Sequence, residues 1–261
     1  MNADSKVFAR IFLWWRESDE FKKDLNYRNS GKSIAVLKTI LAIALASDFH
    51  TRISKISFSE MEEITGLSRP MIAFAIGWLE EKKWIEINKQ KGFSNSYLLI
   101  DYKDKNKRDS RGEGWTKLPY FQIYSFLRNL PNKGSKSLTA LKNYILILFQ
   151  RDNSVDFSRL AHSKLASYGN TLPELVKAGN DLLLSANLID YARYVSYEGN
   201  LITSFNLYHI KGLYFGKRGQ TQQYADHIDY FNGTNKNARR VIYSGNGAEL
   251  IAKTKTGDLP F

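Results

Sequence analysis

Displaced by 104 positions, this chain aligns with itself: KSIAVLKTILAIALASD (Lys32 to Asp48) falls over KSLTALKNYILILFQRD (Lys136 to Asp152). Lys32, Ser33, Leu37, Lys38, Ile43 and Asp48 recur as Lys136, Ser137, Leu141, Lys142, Ile147 and Asp152. Upstream, Phe21 and Leu25 meet Phe126 and Leu130 after a one-residue gap. Downstream, ISFSEM lies near VDFSRL, Pro70 near Pro173, and KWIE (Lys83 to Glu86) over NLID (Asn187 to Asp190). Self-similarity at a fixed displacement marks a module built more than once. The chain is expected to fold as two copies of one unit.

The repeat decides how Gly31-Lys32-Ser33 is read. A phosphate-binding loop needs a glycine five residues before the glycine of Gly-Lys-Ser and a buried strand before that, so that backbone N–H groups surround the phosphates. Here Asn26 stands where the first glycine belongs, no apolar strand precedes it, and the second copy reads Ser135-Lys136-Ser137. The stretch is therefore expected to begin a helix, with Ser30 or Ser33, and Ser135 or Ser137, accepting from a first-turn N–H.

Cysteine is absent, which removes disulfides, thiolate nucleophiles and cysteine-ligated zinc. The four histidines, His50, His162, His209 and His227, lack metal-ligand spacing. No Ser/His/Asp pattern or paired-carboxylate arrangement stands out, so neither catalysis nor a cofactor is expected. No apolar run reads as a membrane span and MNADSKVFAR lacks the features of a signal peptide, which points to a cytoplasmic protein with no membrane partner. A formal charge of +12 points to a polyanion.

Within the first copy, Ser59 with Glu62 and Glu63 is read as capping a short helix that ends near Ile64. Gly66 makes the turn, and Ser68 caps a second helix with Ile72, Ile76 and Leu79 on one face. WIEINK and NSYLLI alternate around QKGFS as a β-hairpin. This order, together with FSEMEEITGLSRPMI and LEEKKWIEINK, resembles the winged helix-turn-helix family, Lys83 standing where a glycine is usual and implying a less sharp turn. The fold expected is mostly α with small β-hairpins (α+β), arranged as two tandem winged helix-turn-helix domains. The boundaries read are 1–102 for the first domain, 103–114 for a charged linker, 115–210 for a divergent second domain, and 211–261 for a basic, irregular tail. Trp14 and Trp15 are expected to close the first core.

The resemblance implies a recognition helix in the major groove and a wing on the backbone. Outward positions of the first recognition helix are Ser68, Arg69, Pro70, Met71, Ala73, Phe74 and Gly77, with Arg69 placed to read guanine or hold a phosphate and Met71 or Ala73 to meet a thymine methyl. That face is apolar for a DNA reader, and the competing reading is that Met71, Phe74 and Trp78 pack against the other module or against a second protomer, the latter making the chain a homo-oligomer. In the first wing, Lys89, Gln90, Lys91, Ser94 and Asn95 form a phosphate-binding set. In the second copy Ser163, Lys164, Asn170, Thr171, Lys177 and Asn180 are read as groove-facing and Arg193 as its wing cation, opposed by Glu174, Asp181 and Glu198. His162 is read as a surface residue.

In the tail, Lys236, Arg239 and Arg240 extend the basic surface. Asp258-Leu259-Pro260-Phe261 resembles the acidic, Pro-Phe-ended tip through which bacterial single-stranded-DNA-binding proteins recruit partners, which implies docking to a host replication protein. Tandem winged helices resemble plasmid and phage replication initiators, so the function expected is sequence-specific binding of double-stranded DNA in replication initiation. A transcriptional regulator and a helicase-loading or protein-interaction adaptor are the alternatives.

Overall fold

The computed structural model describes residues 8–89, 95–101, 114–153, 155–198, 201–213, 239–243 and 249–251, with backbone alone for 194–198, 201–204 and the last two segments. Its elements run twice through one series. The first pass is β1 (Phe8–Phe12), α1 (Trp14–Glu17), a π-helical turn (Glu20–Asp24), a 3-10 turn (Tyr27–Asn29), α2 (Ser30–Ala46), β2 (Ile53–Ser54), α3 (Phe58–Thr65), α4 (Arg69–Glu81), β3 (Ile85–Asn88) and β4 (Ser96–Leu99). The second is β5 (Trp115–Pro119), α5 (Tyr120–Asn129), α6 (Ser135–Gln150), β6 (Phe157–Leu160), α7 (His162–Gly169), α8 (Pro173–Ser185), β7 (Ile189–Glu198) and β8 (Leu201–Ile210). The chain is α+β, with helices around small antiparallel sheets.

Each copy closes its sheet in the same order. β4 lies between β2 and β3, and β8 lies between β6 and β7. The second sheet continues past β7 through β9 (Arg239–Tyr243) and β10 (Glu249–Ile251), so part of the segment read as an irregular tail adds two strands, and Arg239 and Arg240 sit on β9 opposite Val195 and Tyr194. Lys236 lies outside the described residues.

The copies share one apolar core rather than standing apart. β1 pairs antiparallel with β5, from Phe8 opposite Pro119 to Phe12 opposite Trp115. α2 packs on α6, α3 of the first copy on α5 of the second, and α7 of the second on the π-helical turn of the first. α2 is buried all round from Ser33 to Leu45, as expected of a helix apolar on every face inside a protein. Residues 27–46 are long and apolar enough to cross a membrane, yet most of that stretch is enclosed by protein. Trp15 is fully buried and stacks on Trp84 at 5.1 Å, while Trp14 donates its Nε1–H to the Ile100 carbonyl, so the tryptophan pair does close the first core.

Helix ends differ in detail from their sequence reading. α2 and α6 begin at Ser30 and Ser135, with no side-chain cap at Asn29 or Gly134. Ser33 Oγ donates to the Asn26 carbonyl, and Ser30 Oγ accepts from Gly134 N–H across the repeat. Gly31-Lys32-Ser33 therefore lies in the first turn of a helix entered from a 3-10 turn, without the strand a phosphate loop needs. The cap of α3 is Ser57, not Ser59: Ser57 Oγ accepts from Glu60 N–H and the Glu60 carboxylate accepts from Ser57 N–H, a reciprocal capping box that holds Glu60 below its ordinary carboxylate pKa. Ser68 does occupy the N-cap position of α4, with extended backbone and no side-chain bond. α8 begins at Pro173, a proline in the first turn where its missing N–H costs nothing.

The turn after α4 is not relaxed by Lys83. Lys83 takes φ 59°, donates its N–H to the Glu80 carbonyl, and is followed by Trp84 N–H to Leu79 O, which is a complete Schellman closure with lysine in the glycine position. Asn187, 104 residues on, takes φ 54° with Asn187 N–H to Leu184 O and Leu188 N–H to Leu183 O. The fold imposes the left-handed turn in both copies and the residue adapts.

Candidate nucleic-acid interface

α4 lies across α2 with Ile72, Ala75, Ile76 and Leu79 buried against it. This packing leaves Ser68, Arg69, Pro70, Ala73, Phe74 and Gly77 exposed, as the periodicity predicts. Met71 is the exception: it is half-buried and packs on the core, so it is withdrawn from the set that faces outward, and Trp78 likewise packs inward beside Trp84. Phe74 is exposed, with Lys32 Nζ 5.0 Å from its ring centroid.

Arg69 is exposed but engaged. Its Nε donates to Glu62 Oε2 at 2.9 Å and its Nη2 to Ser59 Oγ at 2.8 Å, so the guanidinium ties the start of α4 to α3. An exposed pair of this kind is weak and can be exchanged for a phosphate. Between Ser57 and Asn88 the chain carries six carboxylates, Glu60, Glu62, Glu63, Glu80, Glu81 and Glu86, against Arg69, Lys82 and Lys83. The excess positive charge therefore lies outside α3 and α4.

In the hairpin loop between β3 and β4, Lys89 is exposed and Asn95 is half-buried, its side chain hydrogen-bonding Tyr97. Gln90, Lys91 and Ser94 lie outside the described residues. In the second copy Ser163 and Lys164 on α7 and Lys177 on α8 are exposed, and so are Glu174 and Asp181. Arg193 is exposed on β7 but stands between β8 and β9, opposite Asn206 and Val241, and so belongs to a broad sheet rather than to a wing tip. Asn170 takes the left-handed helix-end position that Gly66 takes in the first copy, and its Nδ2 donates to the Lys22 carbonyl of the other copy. Its first role is to join the modules.

Asn180 and His162 overturn their sequence readings. Asn180 is fully buried: Asn143 Nδ2 donates to its Oδ1, and its Nδ2 lies 3.1 Å from Tyr208 Oη, to which it donates, and 3.2 Å from His162 Nε2. His162 is half-buried in this network, and burial, followed by the charges of Arg193 and Lys177, lowers its pKa to about 4. Helical spacing alone placed both on an outer face. Tyr208, which accepts from Asn180, and Tyr191, whose ring meets His162, come from strands the spacing does not see.

Two buried lysines went unremarked although the repeat contains their signal, a lysine recurring within an otherwise apolar helix. Lys38 Nζ donates to the Thr65 and Leu130 carbonyls and to Asn132 Oδ1, at 2.6–2.9 Å. Lys142 Nζ donates to the Gly169 carbonyl at 2.7 Å and lies 5.2 Å from the Phe21 ring centroid of the other copy. Each lysine satisfies the carbonyl end of the short helix in its own module while touching the other module. Burial lowers their pKa values to about 8 and about 7.

Asp258, Leu259, Pro260 and Phe261 lie outside the described residues. In comparison with known proteins, no family model, curated protein or solved structure matches the chain.

Proposed function

We propose that the chain is a tandem winged helix-turn-helix protein that binds double-stranded DNA, and that it acts in replication initiation. The observation that carries this reading is the duplicated order of three helices and three strands, β4 lying between β2 and β3 as β8 lies between β6 and β7, which leaves the N-terminal half of α4 exposed as a major-groove helix requires. The charge of +12 supplies the long-range attraction. In this reading Ser68, Arg69, Ala73 and Phe74 meet the groove, Lys89 and Lys91 meet phosphates, and Lys164 and Lys177 give the second copy a weaker contact. Two joined modules act as a built-in dimer on a directional site with half-sites about 34 Å apart. The narrower role in replication rests on the duplication and on the terminal Asp258-Leu259-Pro260-Phe261.

The test is binding to duplex DNA across a salt series, followed by mapping of the preferred genomic site. Tight, steeply salt-dependent binding at origin repeats supports the proposal, and preference for a promoter would make the protein a transcriptional regulator. A protein-interaction adaptor is the second reading. It is favoured by the apolar exposed face of Pro70, Ala73, Phe74 and Gly77 and by the Arg69–Glu62 pair. Self-association lost in Phe74→Asp, with no DNA affinity in the parent protein, would select it.

A further inference from the structure

A group of exposed cations gathers where the two copies meet. Gly134 N–H donates to Ser30 Oγ at 3.1 Å, bringing the starts of α2 and α6 side by side. Arg28 and Lys32 stand two residues either side of Ser30, and Lys133 and Lys136 stand within two residues of Gly134. All four are exposed, and none pairs with a carboxylate among the described residues. No Asp or Glu occurs from Asn26 to Ser47 or from Gly114 to Arg151, so neither chain segment supplies a compensating charge. Lys32 also lies over the exposed Phe74, which makes this basic junction continuous with the outer face of α4.

We infer that Arg28, Lys32, Lys133 and Lys136 form one phosphate-binding surface, shared by both copies, that holds the DNA backbone between the two half-sites. The inference rests on the DNA-binding reading and adds where its electrostatic energy comes from. Residues 57–88 are net acidic, so the helices that face the bases need phosphate contacts from elsewhere, and the junction lies beside one of them. Cations at the junction hold the backbone in one register relative to both modules. They carry no sequence preference, because phosphates are the same at every step.

The experiment compares the full chain with a variant carrying Arg28→Gln, Lys32→Gln, Lys133→Gln and Lys136→Gln, and with a variant carrying Lys→Arg at the three lysines. The probe is a duplex of about 40 base pairs, long enough for two half-sites one helical turn apart. The glutamine variant is expected to bind at least about tenfold more weakly, with a log affinity against log salt slope smaller by roughly 3–4, since each lost phosphate contact removes about 0.9 from the slope. The arginine variant should bind like the parent, and thermal melting should be unchanged in both because the four side chains are exposed. If the parent binds and the glutamine variant keeps its affinity and slope, this inference fails while the DNA-binding proposal stands. If the parent binds no duplex, both fail.

Discussion

Stability should rise with pH above neutrality, and Lys142 should be the main cause. Its ammonium is fully buried, and burial lowers its pKa from 10.5 to about 7. Above 10.5 the amine is neutral in folded and unfolded chains alike. Between about 7 and 10.5 the unfolded chain holds a proton that the folded chain has lost, so unfolding takes up a proton and each unit of rising pH stabilises the fold by about 1.4 kcal/mol. Below about 7 both forms are charged and the cost of burial is complete. From pH 7 to 9, Lys142 therefore contributes about 2 kcal/mol. Lys38, at about 8, adds about 1 kcal/mol over the upper half of that window. His209 works in the opposite direction: burial lowers its pKa, but hydrogen bonds to Asp156 and Asp190 outweigh this and raise it, so its stabilisation is lost as pH rises through the folded value. The comparison that isolates Lys142 is urea unfolding of the parent and of Lys142→Met at pH 7, 8 and 9, because His209, Lys38 and the surface groups are common to both. The methionine variant should gain about 2 kcal/mol less over the window, whatever its absolute stability after the Gly169 carbonyl loses its donor. Equal gains in the two proteins would refute the argument, as would an Nζ titration by NMR that places Lys142 near 10.

Lys83→Gly should stabilise the fold by up to about 1 kcal/mol in thermal or urea unfolding, since a non-glycine residue in the left-handed region costs about 1–2 kcal/mol and glycine returns part of this as unfolded-chain entropy. Gly179→Ala should destabilise by about 1–3 kcal/mol, because a Cβ there would stand 2.9 Å from Thr139 Cγ2 and 3.0 Å from Ala140 N, where α8 crosses α6. Lys89→Ala with Lys91→Ala should weaken duplex binding about equally on every sequence, whereas Arg69→Ala should relax preference at one base position by about 1–3 kcal/mol. No change in selectivity would leave Arg69 to its contact with Glu62 and Ser59. Deleting Asp258 to Phe261 should leave DNA affinity and melting unchanged but abolish capture of a host replication protein; lost stability would make the tip part of the fold.

Features that depend on sequence neighbours were legible, and features made by tertiary enclosure were not. The repeat gave the duplicated element order because the same apolar spacing occurs twice, and Gly66, Ser68 and the hairpin of β3 and β4 declared themselves through local chemistry. The Ser57–Glu60 box was misplaced by two residues because SFSE offers two serines, each followed by a glutamate three residues later, Glu60 after Ser57 and Glu62 after Ser59. Asn180 and His162 look outward on a helical wheel, but Tyr208 on β8 meets the first and Tyr191 on β7 the second, and no helix-local pattern contains a strand that arrives almost thirty residues later. Met71 failed for the related reason that its neighbours on the wheel say nothing of how far the core extends around the helix.

The buried lysines show what the repeat can reveal once it is read as energetics rather than as similarity. A lysine retained at the same place in two apolar helices is costly in each, so it must answer a need that both copies share. That need is the carbonyl end of a short helix: Thr65 closing α3, Gly169 closing α7. Lys38 meets it together with Leu130 O and Asn132 Oδ1 of the opposite copy, whereas Lys142 meets it against the ring of Phe21. The second site has an aromatic face where the first has oxygen acceptors, and its ammonium is the more strongly depressed. The two modules have thus kept a shared device and diverged in how they solvate it. A Phe21→Asn change, which offers Lys142 an acceptor from the same direction, should raise its pKa toward that of Lys38 and flatten the rise of stability with pH. An unchanged slope, with folding retained, would show that enclosure by the rest of the core, not the aromatic face, sets the titration of Lys142.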